Sequence, residues 1–157
     1  MDKNINVLYV DDDEMNGNLL KKRLEKRNIN CHFVVSGSEC LSVLENTEYD
    51  LVLLDIMMPD MSGIEVLSKI RKNKNNFELP VIMVTAKDEA KDIVDALRVG
   101  ANDYLTKPVN MDIAIARINT QVKVKELAED SLKSKQVQTI NTMVTTLNHE
   151  INNPLAI

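Results

Sequence analysis

The stretch Leu51–Gly63, which reads LVLLDIMMPDMSG, decides the fold of this chain. It begins with four consecutive aliphatic residues, a run typical of a parallel strand that is covered on both faces. Asp55 stands at the end of that run. Ser62 and Glu65 then form a capping-box pair, which indicates that a helix begins there. The stretch therefore predicts a buried strand, a loop that starts at an aspartate, and a helix.

Similar units repeat on both sides of this stretch. The five predicted strands are Ile5–Val10, Cys31–Val35, Leu51–Leu54, Val81–Val84 and Asp103–Thr106. Amphipathic stretches separate them; Ser36 and Glu39 form a second capping-box pair, Thr85 and Asp88 resemble one, and Gly100 suits the residue after a helix end. Five such units predict a doubly wound α/β domain, whose ligand site lies at the carboxyl ends of the strands.

Polar side chains follow four of the predicted strands. They are Asp11, Asp12 and Asp13 after the first strand, Asp55 after the third, Thr85 after the fourth and Lys107-Pro108 after the fifth. Carboxylates a few ångström apart repel each other unless a cation lies between them, so the acids imply a divalent cation. Because the ligands are oxygens without His or Cys, Mg²⁺ is favoured. Lys107 and Thr85 offer a positive charge and a hydroxyl donor for phosphoryl oxygens. We expect a carboxylate acceptor, since no Ser or Cys stands in a nucleophile turn.

Each of these residues also has a purely structural interpretation. Acids that follow a strand often cap the next helix, Thr85 can be only a cap, and a lone lysine is usually solvated. Their combination at one edge of the predicted sheet favours a site.

Together these residues resemble the receiver domain of two-component response regulators, over about residues 3 to 125. The matching motifs are Asp11-Asp12, Asp55 to Gly63, Thr85-Ala86 and Lys107-Pro108. The resemblance implies a flavodoxin-like five-stranded parallel sheet with strand order 2-1-3-4-5. It also implies that Asp55 accepts a phosphoryl group from a phosphohistidine or a small acyl phosphate. The partner that donates the group would be a histidine kinase or a phosphotransfer protein.

The resemblance assigns a role to each matching residue. The ligands of Mg²⁺ would be Asp11, Asp12, Asp55 and the backbone carbonyl of Met57. The groups that hold the phosphoryl oxygens would be Thr85, the amide of Ala86 and Lys107. Thr85 and Tyr104 would act as the switch residues, and the Lys107-Pro108 peptide would be cis, which proline makes accessible. Met57 and Lys87 occupy positions near the phosphate that vary within the family.

The region beyond residue 110 predicts one long helix, because Val109 to Asn153 contains neither Gly nor Pro. Its apolar residues form a seam with spacings of three and four if polar residues fill intermediate positions; the members are Ile118, Val122, Leu132, Ile140, Val144, Leu147 and Ile151. Leu127 and Val137 lie off this seam. The pattern predicts a coiled coil that pairs two copies in parallel, a homodimer through the C-terminal helix. We expect a receiver at 1–122, a coiled-coil signalling helix at 123–140 and the start of a further domain at 141–157.

The last ten residues, NHEINNPLAI, resemble the H-box of histidine kinases. The resemblance implies that His149 is a phosphoacceptor, that Glu150 is the adjacent general base and that Asn153 assists dephosphorylation of a partner receiver. Pro154 should bend the helix, since it cannot donate a backbone hydrogen bond. We expect the chain to be the N-terminal fragment of a receiver-first (hybrid) histidine kinase. No Gly-rich loop is present, so the chain itself is not expected to phosphorylate His149 with ATP, although a receiver catalyses its own phosphorylation and dephosphorylation at aspartate.

Two other functions stay open. The chain could be a stand-alone response regulator whose C-terminal helix is only a dimerisation or partner-binding adaptor. A phosphatase of the haloacid-dehalogenase type would also use Asp11 and Asp13, but that motif expects Thr or Val where this chain has Met15. An ATP-binding interpretation of Leu51 to Asp55 fails because no GK[ST] loop exists.

Composition sets the remaining expectations. The net charge of −5, the aromatic content of 3% and the absence of Trp disfavour nucleic-acid binding. No aliphatic run is long enough to span a bilayer, and the N-terminus lacks the pattern of a secretory signal, so we expect a cytoplasmic protein without membrane partners. Cys31 and Cys40 are expected to be reduced, packed thiols.

Overall fold

A computed structural model describes residues 4–86 and 89–152. Strands and helices alternate along the chain. The strands are β1 (Ile5–Val10), β2 (Ile29–Val34), β3 (Leu51–Asp55), β4 (Val81–Thr85) and β5 (Asp103–Thr106). The helices are α1 (Glu14–Lys26), α2 (Gly37–Asn46), α3 (Gly63–Arg71), α4 (Ala90–Val99) and α5 (Met111–Asn152).

The five strands form one parallel sheet in the order β2-β1-β3-β4-β5, which confirms the predicted topology. Every residue of β3 and β4 is buried, in agreement with their continuous aliphatic runs. β2 begins two residues earlier than predicted, because Ile29 pairs with Ile5 of β1. β3 and β4 each extend by one residue to include Asp55 and Thr85.

Helices cover both faces of the sheet. On one face, Leu8 and Val10 of β1 belong to a buried cluster with residues of α2, α3 and α4. On the other face, Val7 and Tyr9 belong to a cluster with residues of α1 and α5. The alternation along β1 is that of a strand whose successive side chains point to opposite faces. The domain is therefore doubly wound, as predicted. Cys31 and Cys40 are free and buried, and burial raises the pKa of each thiol to about 12.

The helix ends follow the predicted capping pairs at two of three places. The hydroxyls of Ser36 and Ser62 accept hydrogen bonds from the amides three residues later, at 3.1 and 3.2 Å. The third pair is not formed as predicted: α4 starts after Glu89, which makes no side-chain cap, and Asp88 lies outside the described residues. Gly100 follows α4 with a φ of +124°, a conformation that favours glycine.

Arg71 ties together two loops next to the sheet. Its guanidinium donates hydrogen bonds to the carbonyl oxygens of Gly100, Lys74, Asn75 and Leu79 and to Oδ1 of Asn102. Burial lowers the pKa of this side chain to about 10, so it keeps its charge at neutral pH. One side chain therefore satisfies carbonyl groups of the α3–β4 loop and of the α4–β5 loop.

The chain divides into two compact units, Met1–Lys125 and Glu126–Ile157. Helix α5 is continuous to Asn152, in agreement with the predicted long C-terminal helix. In the first unit, α5 contributes Ala114, Ile118 and Val122 to the core. In the second unit, the described residues of α5 are largely exposed, including apolar ones such as Leu132 and Ile140. Within the described part of the chain, no helix has the length and apolar character needed to cross a membrane.

Candidate functional site

Three carboxylates meet at the carboxyl ends of β1 and β3. One ligand oxygen each from Asp11, Asp12 and Asp55 lies within 4.8 Å of the other two. Asp11 and Asp55 are buried, with 0% and 4% of their surface exposed, whereas Asp12 is exposed. The structure thus brings together the acids that sequence analysis selected, and it leaves one of them open to solvent. Asp13 does not join them: its side chain caps α1 through the amide of Asn16.

Lys107 forms ion pairs with both buried acids. Its Nζ lies 3.2 Å from Oδ2 of Asp11 and 3.0 Å from Oδ2 of Asp55. The backbone amide of Lys107 donates to the carbonyl oxygen of Thr85 at 2.8 Å, so the ends of β4 and β5 stay paired beside the acids. The Lys107–Pro108 peptide is cis, as the resemblance implied. Burial opposes the charge of Lys107, but the hydrogen bonds and charges of Asp55 and Asp11 raise its pKa above the usual value.

Asp11 is held by three donors although it is fully buried. Its Oδ1 accepts the amide of Asp13 at 2.9 Å, and its Oδ2 accepts both Lys107 and the hydroxyl of Tyr9, the latter at 2.5 Å. Burial by itself raises the pKa of this carboxyl. The hydrogen bonds from Tyr9 and Asp13 and the charge of Lys107 outweigh that effect, so the pKa of Asp11 lies below its usual value.

Asp55 has fewer donors and responds in the opposite way. Its Oδ1 accepts the amide of Met57 at 3.1 Å, and its Oδ2 accepts Lys107. Burial, followed by the negative charge of Asp11, raises the pKa of Asp55 to about 6 in spite of the lowering effect of Lys107. A second positive charge at this site would favour the ionised form of Asp55.

Thr85 is buried at the end of β4, and its hydroxyl is already engaged. It donates to the carboxylate of Glu89 at 3.1 Å and lies 3.3 Å from the carbonyl oxygen of Ala86. Glu89 carries no signal of this contact in the sequence, because a carboxylate at the start of a helix is common as a purely structural feature. The hydroxyl must leave Glu89 before it can donate to another acceptor.

Tyr104 lies half-buried on β5, on the face of the sheet that α2, α3 and α4 cover. Its ring packs against the core cluster that includes Leu54 and Met83. The guanidinium of Arg117 lies 5.2 Å from the centre of the ring and donates to the carbonyl oxygen of Tyr104. Arg117 also pairs with Asp103 at 3.7 Å. The ring thus packs against this core cluster and also lies next to Arg117 of α5.

Two further predicted residues lie shortly after the strands that carry Asp55 and Thr85. Met57 is 62% exposed and Ala86 is exposed. Lys87, which was assigned to a variable position, lies outside the described residues.

The residues that resemble an H-box lie far along the chain from this site. His149 and Glu150 are exposed on α5, and Asn153 and Pro154 lie outside the described residues.

Besides Glu89, two residues that shape the site could not be recognised from the sequence, Tyr9 and Gly63. Tyr9 stands in the apolar run of β1, and the one feature of the sequence that pointed to a polar contact there was its hydroxyl. Gly63 was quoted as part of a motif, but its role is steric: a Cβ there would lie 2.1 Å from the carbonyl oxygen of Asp55. Only glycine lets α3 start this close to the end of β3.

The donor set fits a hard divalent cation. It offers carboxylate oxygens, and no thiol or imidazole lies among the three clustered acids. Two of these acids are buried and share one lysine, so their negative charge is only partly compensated. Mg²⁺ uses one or two carboxylates and keeps several waters, and the exposure of Asp12 allows water to reach the cluster.

A family model for the response regulator receiver domain matches residues 7–119. The chain belongs to this family. Receiver domains generally bind Mg²⁺ at an acidic pocket, which corresponds here to the Asp11, Asp12 and Asp55 cluster.

Individual receiver proteins show the same relationship. The alkaline phosphatase synthesis transcriptional regulatory protein PhoP of Bacillus subtilis is 38% identical over 132 residues, which cover 84% of this chain and 54% of that protein. Among solved structures, the receiver domain of Francisella response regulator 1452 is 35% identical, with a TM-score of 0.70 over 76% of this chain and 98% of that one. A CheY-like receiver protein from Methanospirillum hungatei is 31% identical, with a TM-score of 0.74 over 80% and 99%. This receiver chain spans about half the length of the curated relatives it matches.

Proposed function

We propose that Asp55 accepts a phosphoryl group and that Mg²⁺ assists the transfer. The observation that carries the proposal is the arrangement around Asp55: a buried carboxylate that shares Lys107 with a second buried acid, Asp11, beside the exposed Asp12. Bound Mg²⁺ would supply positive charge to the attacking carboxylate and to the phosphoryl oxygens. Asp11, Asp12, Asp55 and the carbonyl of Met57 would hold it.

The transfer exchanges one bond to phosphorus for another. One carboxylate oxygen of Asp55 forms a bond to phosphorus, while the bond from phosphorus to the donor breaks and its electron pair leaves with the donor. For a phosphohistidine the leaving group is an imidazole nitrogen, and for acetyl phosphate it is acetate. Lys107 lies 3.0 Å from Asp55 and would follow the charge onto a phosphoryl oxygen. The amide of Ala86 and the hydroxyl of Thr85 would donate to the other oxygens once Thr85 leaves Glu89.

The haloacid-dehalogenase alternative is disfavoured by the same contacts. In that family the acids after the first strand carry the chemistry, with a nucleophile at the first of them. Here Asp11 accepts three hydrogen bonds in full burial, which leaves it little freedom to attack, and Asp13 is engaged as a helix cap. Asp55 has a raised pKa, accepts fewer hydrogen bonds and lies near the exposed Asp12, so it is better suited than Asp11 to act as the nucleophile.

Labelling with acetyl phosphate tests the proposal directly. We expect the intact protein with Mg²⁺ to gain the mass of one phosphoryl group. The Asp55→Asn variant should gain none, whereas Asp60→Asn, the same change at an exposed acid five residues later, should be labelled normally. Removal of Mg²⁺ with EDTA should slow the labelling strongly. Equal labelling of the Asp55→Asn variant would refute the proposal.

We infer that the receiver regulates a histidine kinase through the C-terminal helix, with 123–140 as a signalling helix and 141–157 as the start of the phosphoacceptor helix. Support comes from the H-box resemblance and from the exposure of His149 and Glu150 on a continuous helix. A phosphoacceptor histidine must be accessible to the domain that delivers the phosphoryl group. His149 meets that requirement.

The exposed apolar residues of the tail support a parallel dimer. Val137, Ile140, Val144 and Leu147 are each between 50% and 59% exposed, and they follow one another at spacings of three, four and three. This register includes Val137, which the seam first read from the sequence left out. β-Branched residues at one heptad position and Leu at the other favour two parallel strands, a pattern that Val137, Val144 and Leu147 fit and Ile140 does not. The exposed stripe is therefore well suited to a second copy of the same helix.

Sedimentation tests the dimer with two matched charge changes. Ile140→Glu places a charge on the proposed seam and should convert dimer to monomer. Gln138→Glu adds the same side chain at an exposed position off the seam and should leave the dimer intact. A monomeric parent chain, or equal behaviour of both variants, would contradict the proposed seam.

The two histidines of the chain separate the kinase-linked function from a pure adaptor. Incubated with ATP and the isolated ATP-binding domain of a histidine kinase, the chain should acquire an acid-labile phosphoryl group on His149. His149→Gln should abolish the label and His32→Gln should retain it. A label that survives in His149→Gln would favour the stand-alone regulator with an adaptor helix.

A further inference from the structure

Tyr9 has an unusual position for a tyrosine. It is the penultimate residue of β1, with only 1% of its surface exposed, in the cluster between the sheet and helices α1 and α5. A buried phenol needs a hydrogen-bond partner, because an unsatisfied hydroxyl in the core costs about 1–3 kcal/mol. Here the partner is Oδ2 of Asp11, two residues later and just past the end of β1, at 2.5 Å.

Packing fixes the ring that carries this hydroxyl. The rings of Tyr9 and Phe33 contact each other, with centroids 5.6 Å apart and an angle of 36° between their planes. Phe33 in turn fills the space beside Gly17, where an added Cβ would lie 1.9 Å from the ring of Phe33. Three residues from β1, β2 and α1 therefore interlock and hold the Tyr9 hydroxyl in one place.

The hydrogen bonds to Asp11 leave it little freedom to rotate. A carboxylate offers about four lone-pair sites. One is used by the amide of Asp13 and two by Tyr9 and Lys107. The remaining site belongs to Oδ1, since Oδ2 already accepts two donors. Asp11 can therefore offer one oxygen, in one orientation, to a cation or to its water shell.

We propose that Tyr9 is a positioning residue that fixes the Asp11 carboxylate for Mg²⁺ and thereby sets the affinity of the acid cluster for the metal. This inference rests on the proposed function, because it assigns Mg²⁺ to Asp11, Asp12 and Asp55. The inference goes beyond the proposed function because a residue of the core, behind the acids, would control the affinity for the metal. Partners that orient a metal ligand from behind typically change metal affinity by about 10- to 100-fold when they are removed.

A Mg²⁺ titration by calorimetry tests the proposal without any phosphoryl transfer. Tyr9→Phe removes only the hydroxyl, and we expect the Kd for Mg²⁺ to rise by about tenfold. Tyr49→Phe is the matched control, because it removes the hydroxyl of another buried tyrosine, one that bonds His32 instead of a clustered acid. Tyr49→Phe should stay within about twofold of the parent protein. Phe33→Leu keeps the hydroxyl of Tyr9 but loosens the ring that carries it, so we expect a smaller rise in the Kd than in Tyr9→Phe.

Labelling with acetyl phosphate separates positioning from a general structural defect. In Tyr9→Phe, the Mg²⁺ concentration that gives half of the maximal rate should rise by about tenfold, whereas the rate at saturating Mg²⁺ should stay within about twofold. A variant that is merely misfolded would lose the maximal rate as well. If Tyr9→Phe does not fold, the Cζ carbon of Tyr9 in the parent protein gives the answer by NMR: its signal should shift when Mg²⁺ is added, while that of Tyr49 stays unchanged.

The outcomes distinguish this inference from the proposed function. An unchanged Kd in Tyr9→Phe, or an unshifted Tyr9 signal, overturns the role of Tyr9 while labelling at Asp55 stands. A parent protein that binds Mg²⁺ tightly and Tyr9→Phe weakly, with no labelling of either, overturns the proposed function while the role of Tyr9 stands. A parent protein that binds no Mg²⁺ overturns the role of Tyr9.

Discussion

The two buried acids should affect stability in opposite directions when each is neutralised. In Mg²⁺-free buffer at about pH 7.5, Asp55→Asn should stabilise the protein and Asp11→Asn should destabilise it. The reason is the number of donors: Asp11 accepts Tyr9, the amide of Asp13 and Lys107, whereas Asp55 accepts only Lys107 and an amide. Burial and the charge of Asp11 thus make ionised Asp55 costly, while ionised Asp11 is well compensated.

The size of the effect follows from the pKa of Asp55. The pKa is about 6 in the folded protein and 3.8 in the reference state, and each pKa unit corresponds to about 1.4 kcal/mol. The ionisation of Asp55 therefore costs the folded state up to about 3 kcal/mol at neutral pH. Asparagine also weakens the contact with Lys107, so we expect a net stabilisation of about 1–2 kcal/mol.

The pH dependence gives this prediction its sign. Because the pKa of Asp55 is raised in the folded protein, this carboxyl makes its full favourable contribution to the free energy of unfolding below about pH 4. That contribution is lost as the pH rises through 6. The advantage of Asp55→Asn should therefore be small near pH 4 and grow to its full size above pH 6. Asp11 behaves conversely: its pKa is lowered, so its contribution is present at neutral pH and is lost as the pH falls below the ordinary value of 3.8.

Urea unfolding in the presence of EDTA at several pH values measures these differences. Asp60→Asn serves as the control, because this acid is exposed and should change stability little at any pH. An Asp55→Asn variant that is less stable than the parent protein at pH 7.5, or whose advantage does not grow between pH 4 and pH 7, would refute the reasoning.

Three further predictions concern Arg71, Gly63 and Glu89. Arg71→Ala should lower the free energy of unfolding by at least about 3 kcal/mol in urea, because it leaves several loop carbonyls without their charged donor; a loss below about 1 kcal/mol would mean that water replaces the guanidinium. Gly63→Ala should cost about 1–3 kcal/mol and slow acetyl phosphate labelling, since its Cβ would press on the carbonyl of Asp55, and unaltered stability and rate would argue against that contact. Glu89→Ala should release the hydroxyl of Thr85 and speed labelling by about fivefold, the worth of one hydrogen bond, and an unchanged rate would show that Glu89 does not compete for it.

The topology and the main acids were predictable because both depend on local pattern. Continuous aliphatic runs such as Leu51–Leu54 predict buried parallel strands, and parallel strands place their carboxyl ends at one edge. Asp11 and Asp55 could therefore be placed together without coordinates. Serine caps at 36 and 62 were equally readable, since a cap depends on residues only three positions apart.

The contacts within the site could not be predicted, because they depend on which side chains meet across the sheet. The sequence alone determined which elements form, their order along the chain and which polar residues follow each strand. These features depend only on residue type and on patterns between residues close in sequence. Only the tertiary structure decided that the Tyr9 hydroxyl lies behind Asp11, that Lys107 bridges two acids and that Glu89 holds Thr85. Lys107 lies 96 and 52 residues from the two acids that it bridges, and no local pattern links them. The pairs Tyr9–Asp11 and Thr85–Glu89 are close in sequence, but residue type does not reveal which way the fold turns each hydroxyl.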